Sequence, residues 1–333
     1  MKSGSMTRLL FLSLVAAAAG GAAAAACVGD DPVRPPSDGR RDPDGATTDG
    51  ASNTDGAADA SDGAAPRTCN VTSPFTKVEE VSELNAAQSG GARLSRDGLT
   101  VWFHRVLSAD EWIIYSAKRP DKSSKFGAPA PVDGVGAGKV DAFPTVNKDG
   151  SLLFFQRSLT STAPERDIAQ LALGASGSPS PTPGLSSALQ ERTPYVADDG
   201  SMWLSLRDED GGVTNRIVHA PRSGQGFGAL EDLGPEKANP AMADEAPVVS
   251  TDGLTMYFAT NRGAGGGLEV WFASRTSLTA RFGNLKALPA IRKANSSELP
   301  TWLSPDNCEL WFQRNEALDG GGTTGFGIYR ALR

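Results

Sequence analysis

The chain has 333 residues and a formal net charge of −7, with only three cysteines and two histidines. Nine aspartates against three arginines in residues 28–66 account for −6 of this charge, and Lys2 with Arg8 contributes +2, so the remainder carries about −3. Because that remainder has no basic stripe to neutralise phosphates, the composition argues against nucleic-acid binding.

The first 26 residues have the features of an export signal. Two basic residues are followed by a short apolar stretch at residues 9–15 and by alanines that lead to Cys27. Small residues that end on a cysteine resemble the lipobox of bacterial lipoproteins, which implies that Cys27 becomes the lipid-modified first residue of the mature protein. Ala24 stands where this motif usually has leucine, so ordinary cleavage before Cys27 is the alternative.

Residues 27–68 are predicted to form a disordered tether. Most of the segment is Asp, Gly, Ala, Pro, Ser and Thr, and residues 28–66 contain no aromatic side chain. Burial therefore cannot offset the entropy that ordering would cost. The folded domain is expected to span residues 69–333.

A motif built on an Asp-Gly turn recurs five times in this domain. The steps between successive turn aspartates are 52, 50, 53 and 54 residues, and these aspartates are Asp97, Asp149, Asp199, Asp252 and Asp306. A strand-turn-strand unit that repeats at this period is typical of a β-propeller.

Each copy predicts four strands. A proline marks the start of the first strand in most copies (Pro144, Pro194 and Pro247, with Pro300 shifted by one). The second and third strands follow the turn, and the fourth begins with a phenylalanine in three copies (Phe126, Phe227 and Phe282). The second copy is degenerate at this point, with a Ser/Pro/Gly-rich run at residues 176–184.

The fifth copy has no fourth strand after its third. Phe75, followed by Val81, repeats the spacing of a fourth strand before any first strand has appeared. Exchange of one strand between the ends of the domain would remove the exposed edges of an open ring. We therefore predict an all-β, five-bladed β-propeller of four-stranded blades, in which residues 75–85 form the outer strand of the last blade.

The repeated pattern Asp/Glu-x-x-Pro-x-x-Ser-x-Asp-Gly-x-x-x-Tyr-Phe resembles the TolB-like, WD40-like propeller repeats of bacterial envelope proteins over most of residues 75–333. The resemblance implies a propeller in the cell envelope. TolB proteins as a family have six blades and a preceding α/β domain, neither of which the sequence shows, so partnership with the Tol-Pal system is not implied. Propellers serve as binders, scaffolds and enzymes alike.

The repeat register brings two cysteines to the same blade. Cys69 precedes the N-terminal outer strand, and Cys308 begins the second strand of the blade that this strand completes. In an oxidising compartment such a pair is expected to form a disulfide. The alternative is two unrelated buried thiols.

Two charged sets recur in register on one face of the predicted propeller. Eight residues before the turn aspartate stand Asp141, Glu191, Asp244 and Glu298, with Ser89 in the first copy. The ends of the second strands carry Arg105, Arg157, Arg207, Arg262 and Arg314. The acids could line a channel mouth that binds a cation or a polar ligand. Their equal register favours the other interpretation, in which each acid pairs with an arginine between blades.

Catalysis has little support in the sequence. A glycosidase needs two carboxylates about 5–5.5 Å or 6.5–9.5 Å apart, and the mouth acids could supply them, but no acid or aromatic platform outside the repeat is visible. His104 and His219 lie in or beside predicted strands, which suits structural roles better than a Ser-His-Asp site. The acidic run at residues 208–210 does not match a calcium loop. We expect no catalytic residue, no metal and no cofactor.

The sequence therefore predicts a monomeric, lipid-anchored envelope protein, at the outer membrane, whose propeller lies in the periplasm or at the cell surface. Its predicted function is non-catalytic binding of an envelope protein or a glycan. The alternative is a glycosidase-like or lactonase-like propeller hydrolase that uses the acids at the channel mouth.

Overall fold

The computed structural model describes residues 69–136, 139–160, 165–185, 187, 189–208, 214–237, 239, 241–263, 267–316 and 325–333. The predicted export signal, Cys27 and the tether lie outside the described residues. Within the described ranges, no helix has the length and hydropathy needed to span a membrane.

The described residues are all-β, with one 3₁₀ turn at Ser82–Leu84. In chain order the strands are β1 (Lys77–Glu80), β2 (Ser89–Leu94), β3 (Thr100–Ser108), β4 (Glu111–Lys118), β5 (Ala130–Pro131), β6 (Val140–Val146), β7 (Leu152–Ser158), β8 (Asp167–Ala172), β9 (Ser180–Pro181), β10 (Gln190–Val196), β11 (Met202–Asp208), β12 (Thr214–Ala220), β13 (Arg222–Ser223), β14 (Gly226–Phe227), β15 (Asp244–Val249), β16 (Thr255–Thr260), β17 (Glu269–Ser274), β18 (Gly283–Ala287), β19 (Ser296–Leu303), β20 (Glu309–Glu316) and β21 (Gly325–Leu332).

Each copy of the motif folds as an antiparallel unit, and we call these units repeats 1 to 5. Four of them comprise β2–β5, β6–β9, β15–β18 and β19–β21, and repeat 3 comprises the three-stranded sheet β10–β12. The hairpin β13–β14 that follows is a separate sheet, and the predicted fourth strand of repeat 3 is reduced to a single bridge between His219 and Glu231. In repeat 2, the two-residue strand β9 lies in the segment predicted to be degenerate, and it pairs with β8. Repeat 5 receives its fourth strand from the N-terminal side, because β1 pairs with β21 and Lys77 faces Leu332.

The first strands of the five repeats contact one another. In cyclic order β2 contacts β6, β6 contacts β10, β10 contacts β15, β15 contacts β19, and β19 contacts β2. One small cavity is lined by a residue from each of these strands, namely Gly91, Phe143, Thr193, Ala246 and Thr301. We refer to the space between these five strands as the channel.

The two ends of the channel differ. The Asp-Gly turns of repeats 1 to 4 and the Asp-Asn turn of repeat 5 lie at one end, which we call the turn face, where Arg96, Lys148, Asp198, Thr251 and Pro305 line a single cavity. The first and third strands begin at the opposite end, which we call the loop face. At this end two first strands are hydrogen-bonded to the preceding repeat. The Glu191 N–H donates to the Arg166 carbonyl at 2.8 Å, and the Glu298 N–H donates to the Leu268 carbonyl at 2.9 Å.

Side chains fix the geometry of the repeated turn. Asp97 Oδ1 accepts the N–H of Leu99 at 2.9 Å, and Ser95 Oγ accepts the N–H of Thr100 at 2.9 Å. The Ser95 N–H in turn bonds to the Thr100 carbonyl. Repeats 2, 4 and 5 make the same side-chain bond through Asn147, Ser250 and Ser304. The recurring aspartate is therefore a folding element.

Repeat 3 closes its turn one residue earlier. Ala197 stands where the other repeats have Ser or Asn, so its side chain cannot accept the N–H of Met202, five residues further along the chain. The Ala197 N–H bonds instead to the Ser201 carbonyl, four residues away. Val196 consequently faces Met202, whereas Val146 in repeat 2 faces Leu153. A one-residue slip of this kind exchanges the two faces of a strand.

The repeated prolines lie inside the first strands, so the prediction that they mark the strand starts was wrong. β6 begins at Val140 and contains Pro144, next to a β-bulge between Ala142 and Thr145. Phe143, just before the proline, has a φ of 52°, and the equivalent Thr193 and Ala246 also have positive φ. A bulge interrupts the ladder, so proline's missing N–H costs little there.

An arginine after the third strand connects the turn to the outer strand. Arg119 Nε donates to the Gly98 carbonyl at 2.8 Å, and its guanidinium lies 4.6 Å from the Phe126 ring centroid. Arg275 makes the equivalent contacts in repeat 4. In repeat 5, Arg333 lies 4.2 Å from the ring centroid of Phe75. Phe75 thus takes the outer-strand position that Phe126 has in repeat 1.

The hydrophobic core is divided among the interfaces between neighbouring repeats. Phe103 of repeat 1 packs in one cluster with Trp311 of repeat 5, and Phe154 of repeat 2 packs with Leu204 of repeat 3. All four side chains are fully buried. Each repeat therefore depends on the adjacent repeats for the burial of its sheet.

A disulfide joins Cys69 to Cys308, whose Cα atoms are 5.7 Å apart and whose sequence separation is 239 residues. It links the segment before β1 to the hairpin of repeat 5. We predict that the double variant Cys69→Ser/Cys308→Ser loses up to about 5 kcal/mol of unfolding free energy, because the bridge restricts the unfolded chain. Urea denaturation measures the change, and reductant should destabilise only the unmodified protein. Equal urea midpoints for the two proteins would contradict the prediction.

Candidate functional site

The channel is closed near its middle by two side chains. Arg93 is buried, donates to the Val196 carbonyl at 2.6 Å and lies 3.4 Å from the ring centroid of Tyr195. The Tyr195 hydroxyl donates to the Val249 carbonyl at 2.8 Å. The cavities beside this plug measure about 20 and 50 Å³, whereas small-molecule pockets are typically about 300–1,000 Å³. The channel therefore has room for water but not for a substrate.

Three of the predicted acids form ion pairs with the predicted arginines at the loop face. Asp141 accepts two hydrogen bonds from Arg157, both at 2.7 Å, and a third from the Gly136 N–H at 2.7 Å. The two residues lie opposite each other on β6 and β7. The pair therefore forms within one repeat, and the expectation of pairing between blades was wrong.

Repeats 4 and 5 form the same ion pair, although Thr260 is the residue opposite Asp244 in repeat 4 and Arg262 lies two residues further along the chain. Arg262 Nη2 lies 2.6 Å from Asp244 Oδ2, and Arg314 Nε lies 3.1 Å from Glu298 Oε1. Burial raises the pKa of Asp244 despite the opposing effect of Arg262. In repeat 1, where Ser89 replaces the acid, Arg105 Nε donates to Ser89 Oγ at 3.4 Å. These buried, paired acids present little free charge to a ligand.

Repeat 3 departs from this pattern because of its shorter turn. Glu191 faces Leu206, and Arg207 faces Gln190, so the predicted arginine is not the partner of the acid in this repeat. Glu191 Oε1 accepts the Ser187 N–H at 2.9 Å, while Oε2 is buried with no hydrogen-bond partner among the described residues. Burial, with a contribution from Asp167, raises the pKa of Glu191 to about 7.

The same slip moves Arg207 to the other side of its sheet. Arg207 faces Asn215, whose Nδ2 donates to Glu245 Oε2 of repeat 4 at 3.0 Å. Arg192, two residues from Gln190 on β10, shares this side. Burial, together with the charges of Arg192 and Arg207, lowers the pKa of Arg166 to about 10. We call these three arginines the arginine cluster.

A second group of side chains breaks the repeat on the other side of the channel. The ring centroid of His104 lies 5.3 Å from Trp112, 5.2 Å from Phe143 and 5.7 Å from Phe326. We call these four residues the aromatic cluster. Burial lowers the pKa of His104 to about 3, so its imidazole is neutral. The rings come from three repeats, and Trp112 and Phe326 occupy equivalent positions at the start of the third strands of repeats 1 and 5.

The remaining histidine and the cysteines have structural contacts. His219 Nδ1 lies 2.9 Å from Glu231 Oε2, and Cys69 and Cys308 are joined in the disulfide. In the part of the chain that the structure describes, no three His, Cys, Asp or Glu side chains form a group that could hold a metal.

Sequence reasoning found the paired acids but missed Arg166, Arg192 and the aromatic cluster. The sequence signal for the changed register of repeat 3 was Ala197. The other four repeats have Ser or Asn at this turn position, and alanine has no side-chain acceptor. The convergence of Trp112, Phe143 and Phe326 has no such local signal.

No protein-family model and no curated protein matches the chain. Among solved structures, TolB from Acinetobacter baumannii is similar at 14% identity and a TM-score of 0.46, over 74% of this chain and 54% of that one. A protein assigned as TolB from Agrobacterium tumefaciens is similar at 14% identity and a TM-score of 0.47, over 77% of this chain and 96% of that one. A gluconolactonase from Xanthomonas campestris is similar at 10% identity and a TM-score of 0.46, over 77% of this chain and 89% of that one. At TM-scores below 0.5 this is a loose likeness that does not bear on activity or partners.

Glu191 and Glu298 occupy equivalent positions, and only Glu298 has an arginine partner among the described residues. A carboxyl group whose folded pKa is raised from 4.5 to about 7 contributes stability that is complete below pH 4.5 and is lost as the pH rises through 7. We therefore predict that Glu191→Gln is more stable than the unmodified protein at pH 8, by up to about 3 kcal/mol, and that this gain shrinks below pH 5. Urea denaturation at both pH values measures it.

Glu298→Gln is the matched control. It leaves buried Arg314 without its counter-charge, so we expect a loss of about 3 kcal/mol at pH 8. A loss of stability at pH 8 in both variants would show that Glu191 is paired after all.

Proposed function

We propose that residues 69–333 form a five-bladed β-propeller, closed by its N-terminal strand, that acts as a non-catalytic binding module of the bacterial cell envelope. The five units, the cyclic contacts of their first strands and the pairing of β1 with β21 support the propeller. The position of Phe75 under Arg333 supports the closure.

The observation that carries the binding role is the closed channel. Arg93 and Tyr195 fill its middle, so a ligand meets one of the two faces and not a deep pocket along the channel. The arginine and aromatic clusters on the loop face depart from the five-fold pattern, and the symmetric scaffold does not require them. Arginine and aromatic side chains are also those that contribute most to binding energy at interfaces. The partner is an envelope protein or a glycan.

The proposal includes a lipid anchor at Cys27 and a location at the outer membrane, with the propeller in the periplasm or at the cell surface. The alanine-rich sequence before Cys27 and the acidic tether after it support this arrangement, and the disulfide suits an oxidising compartment. Labelling of cells with alkyne-palmitate should mark the unmodified protein and not Cys27→Ser. Equal labelling of the two proteins would exclude this anchor site.

Crosslinking in intact cells tests the binding role. We expect the full chain to enrich a partner, by about tenfold or more, over a control that carries only residues 1–68. The control has the same anchor and tether, so an enriched partner must contact the folded domain. Recovery of the same proteins at the same yield with the control would remove the main support for a binding module.

A hydrolase is the second candidate, and Glu191 is the observation that favours it. A carboxyl group with a pKa of about 7 has the property of a general acid, and Asp167 lies beside it. Against this, Glu191 is fully buried, so a substrate would reach it only if the loop face opened. Turnover of aryl glycosides or lactones that Glu191→Gln abolishes would establish the hydrolase, and its absence would leave the binding module.

A further inference from the structure

The arginine cluster gathers three like charges. Arg192 and Arg207 lie on the same side of their sheet, and the carbonyl of Arg166 bonds to the N–H of Glu191, the residue before Arg192. The positive charges of Arg192 and Arg207 both act on Arg166. Among the described residues, Glu245 is the acid whose charge opposes those of Arg166 and Arg192.

The cluster also has unused hydrogen-bond donors. The Nε atoms of Arg192 and Arg207 are buried and have no hydrogen-bond partner among the described residues. Glu245 accepts a hydrogen bond from Asn215 at its Oε2 and makes none with either Nε atom. A buried donor without an acceptor is costly, and the planar guanidinium fork matches the oxygens of a carboxylate, sulfate or phosphate.

The fold does not require this arrangement. The residues equivalent to Arg192 in the other repeats are Gly90, Ala142, Glu245 and Leu299. Arg207 reaches the cluster only because the turn of repeat 3 is shorter, whereas the equivalent Arg157 is held by Asp141. The buried, unsatisfied donors of Arg192 and Arg207, at positions that the scaffold does not repeat, are best explained by a ligand.

We propose that the arginine cluster binds an oxyanion group, a carboxylate, sulfate or phosphate, of the ligand at the loop face. Arg192 and Arg207 supply the hydrogen bonds, and Arg166 adds positive charge. Thr193, the residue after Arg192, lines the same small cavity as Phe143 of the aromatic cluster, so both clusters border one end of the channel. The inference rests on the proposed binding role and names the chemistry of its ligand.

Titration of the purified full chain with three probes tests the site. Sodium sulfate, sodium phosphate and sodium D-glucuronate are added at constant ionic strength against sodium chloride, and calorimetry measures binding. We expect at least one probe to bind saturably and its affinity to fall at least tenfold in Arg192→Gln and in Arg207→Gln. Arg96→Gln, which removes an exposed arginine on the turn face, is the matched control and should bind as the unmodified protein does.

The probe that binds identifies the group on the ligand. Binding of glucuronate indicates a carboxylate on a sugar, and binding of sulfate or phosphate indicates the corresponding ester. Absence of binding by all three probes overturns the proposal, and so does equal affinity in the unmodified protein and both variants. If either variant proves difficult to titrate, its midpoint of thermal unfolding in chloride buffer is compared with that of the unmodified protein. Removal of one of several like charges should raise the midpoint, whereas a lower midpoint means that a group of the protein already satisfies the arginine and overturns the proposal.

The two proposals can fail separately. Capture of an envelope partner by the unmodified protein and by both variants alike contradicts the oxyanion site and leaves the binding module. Binding of a probe without capture of any partner contradicts the binding module as proposed and leaves the site.

Discussion

The register on which the loop face depends is set by a single side-chain hydrogen bond in the turns of repeats 1, 2, 4 and 5. In repeat 1, Ser95 Oγ accepts the N–H of Thr100, and the Ser95 N–H donates to the Thr100 carbonyl, so the hairpin is closed between residues five apart. The same closure in repeat 2 places Arg157 directly opposite Asp141 at the far end of the strands. Because side chains alternate between the faces of a strand, a bond at the turn decides which charges meet at the other end of the sheet.

Repeat 3 lacks that bond, and its register differs as a result. Ala197 offers no acceptor, the hairpin closes one residue earlier, and every side chain of β11 changes sides relative to its equivalents. Glu191 thereby loses the arginine that its counterparts have, and Arg207 joins Arg192 on the side that faces repeat 4. The absence of one hydroxyl or amide group at the turn face thus creates both the unpaired acid and the arginine cluster at the loop face.

The sequence predicted those parts of the structure that local pattern determines. The strands, the turns and the N-terminal partner of β21 are set by residues at fixed offsets, and Phe75 marks its position as Phe126 does in repeat 1. The bulges were missed because a proline at the start of a strand and a proline at a bulge look alike in sequence. The aromatic cluster was missed because Trp112 and Phe326 become neighbours only when repeats 1 and 5 pack together.

The acid at the start of the first strand has a second role that explains why Glu191 persists without an arginine. Its counterparts accept a backbone N–H from the loop before the strand, Asp141 from Gly136 and Glu298 from Lys293, and Glu191 accepts that of Ser187. A buried N–H needs such an acceptor whether or not an arginine is present. The carboxyl group of Glu191 is therefore retained to hold its loop, and its raised pKa results from the register slip and does not by itself indicate catalysis.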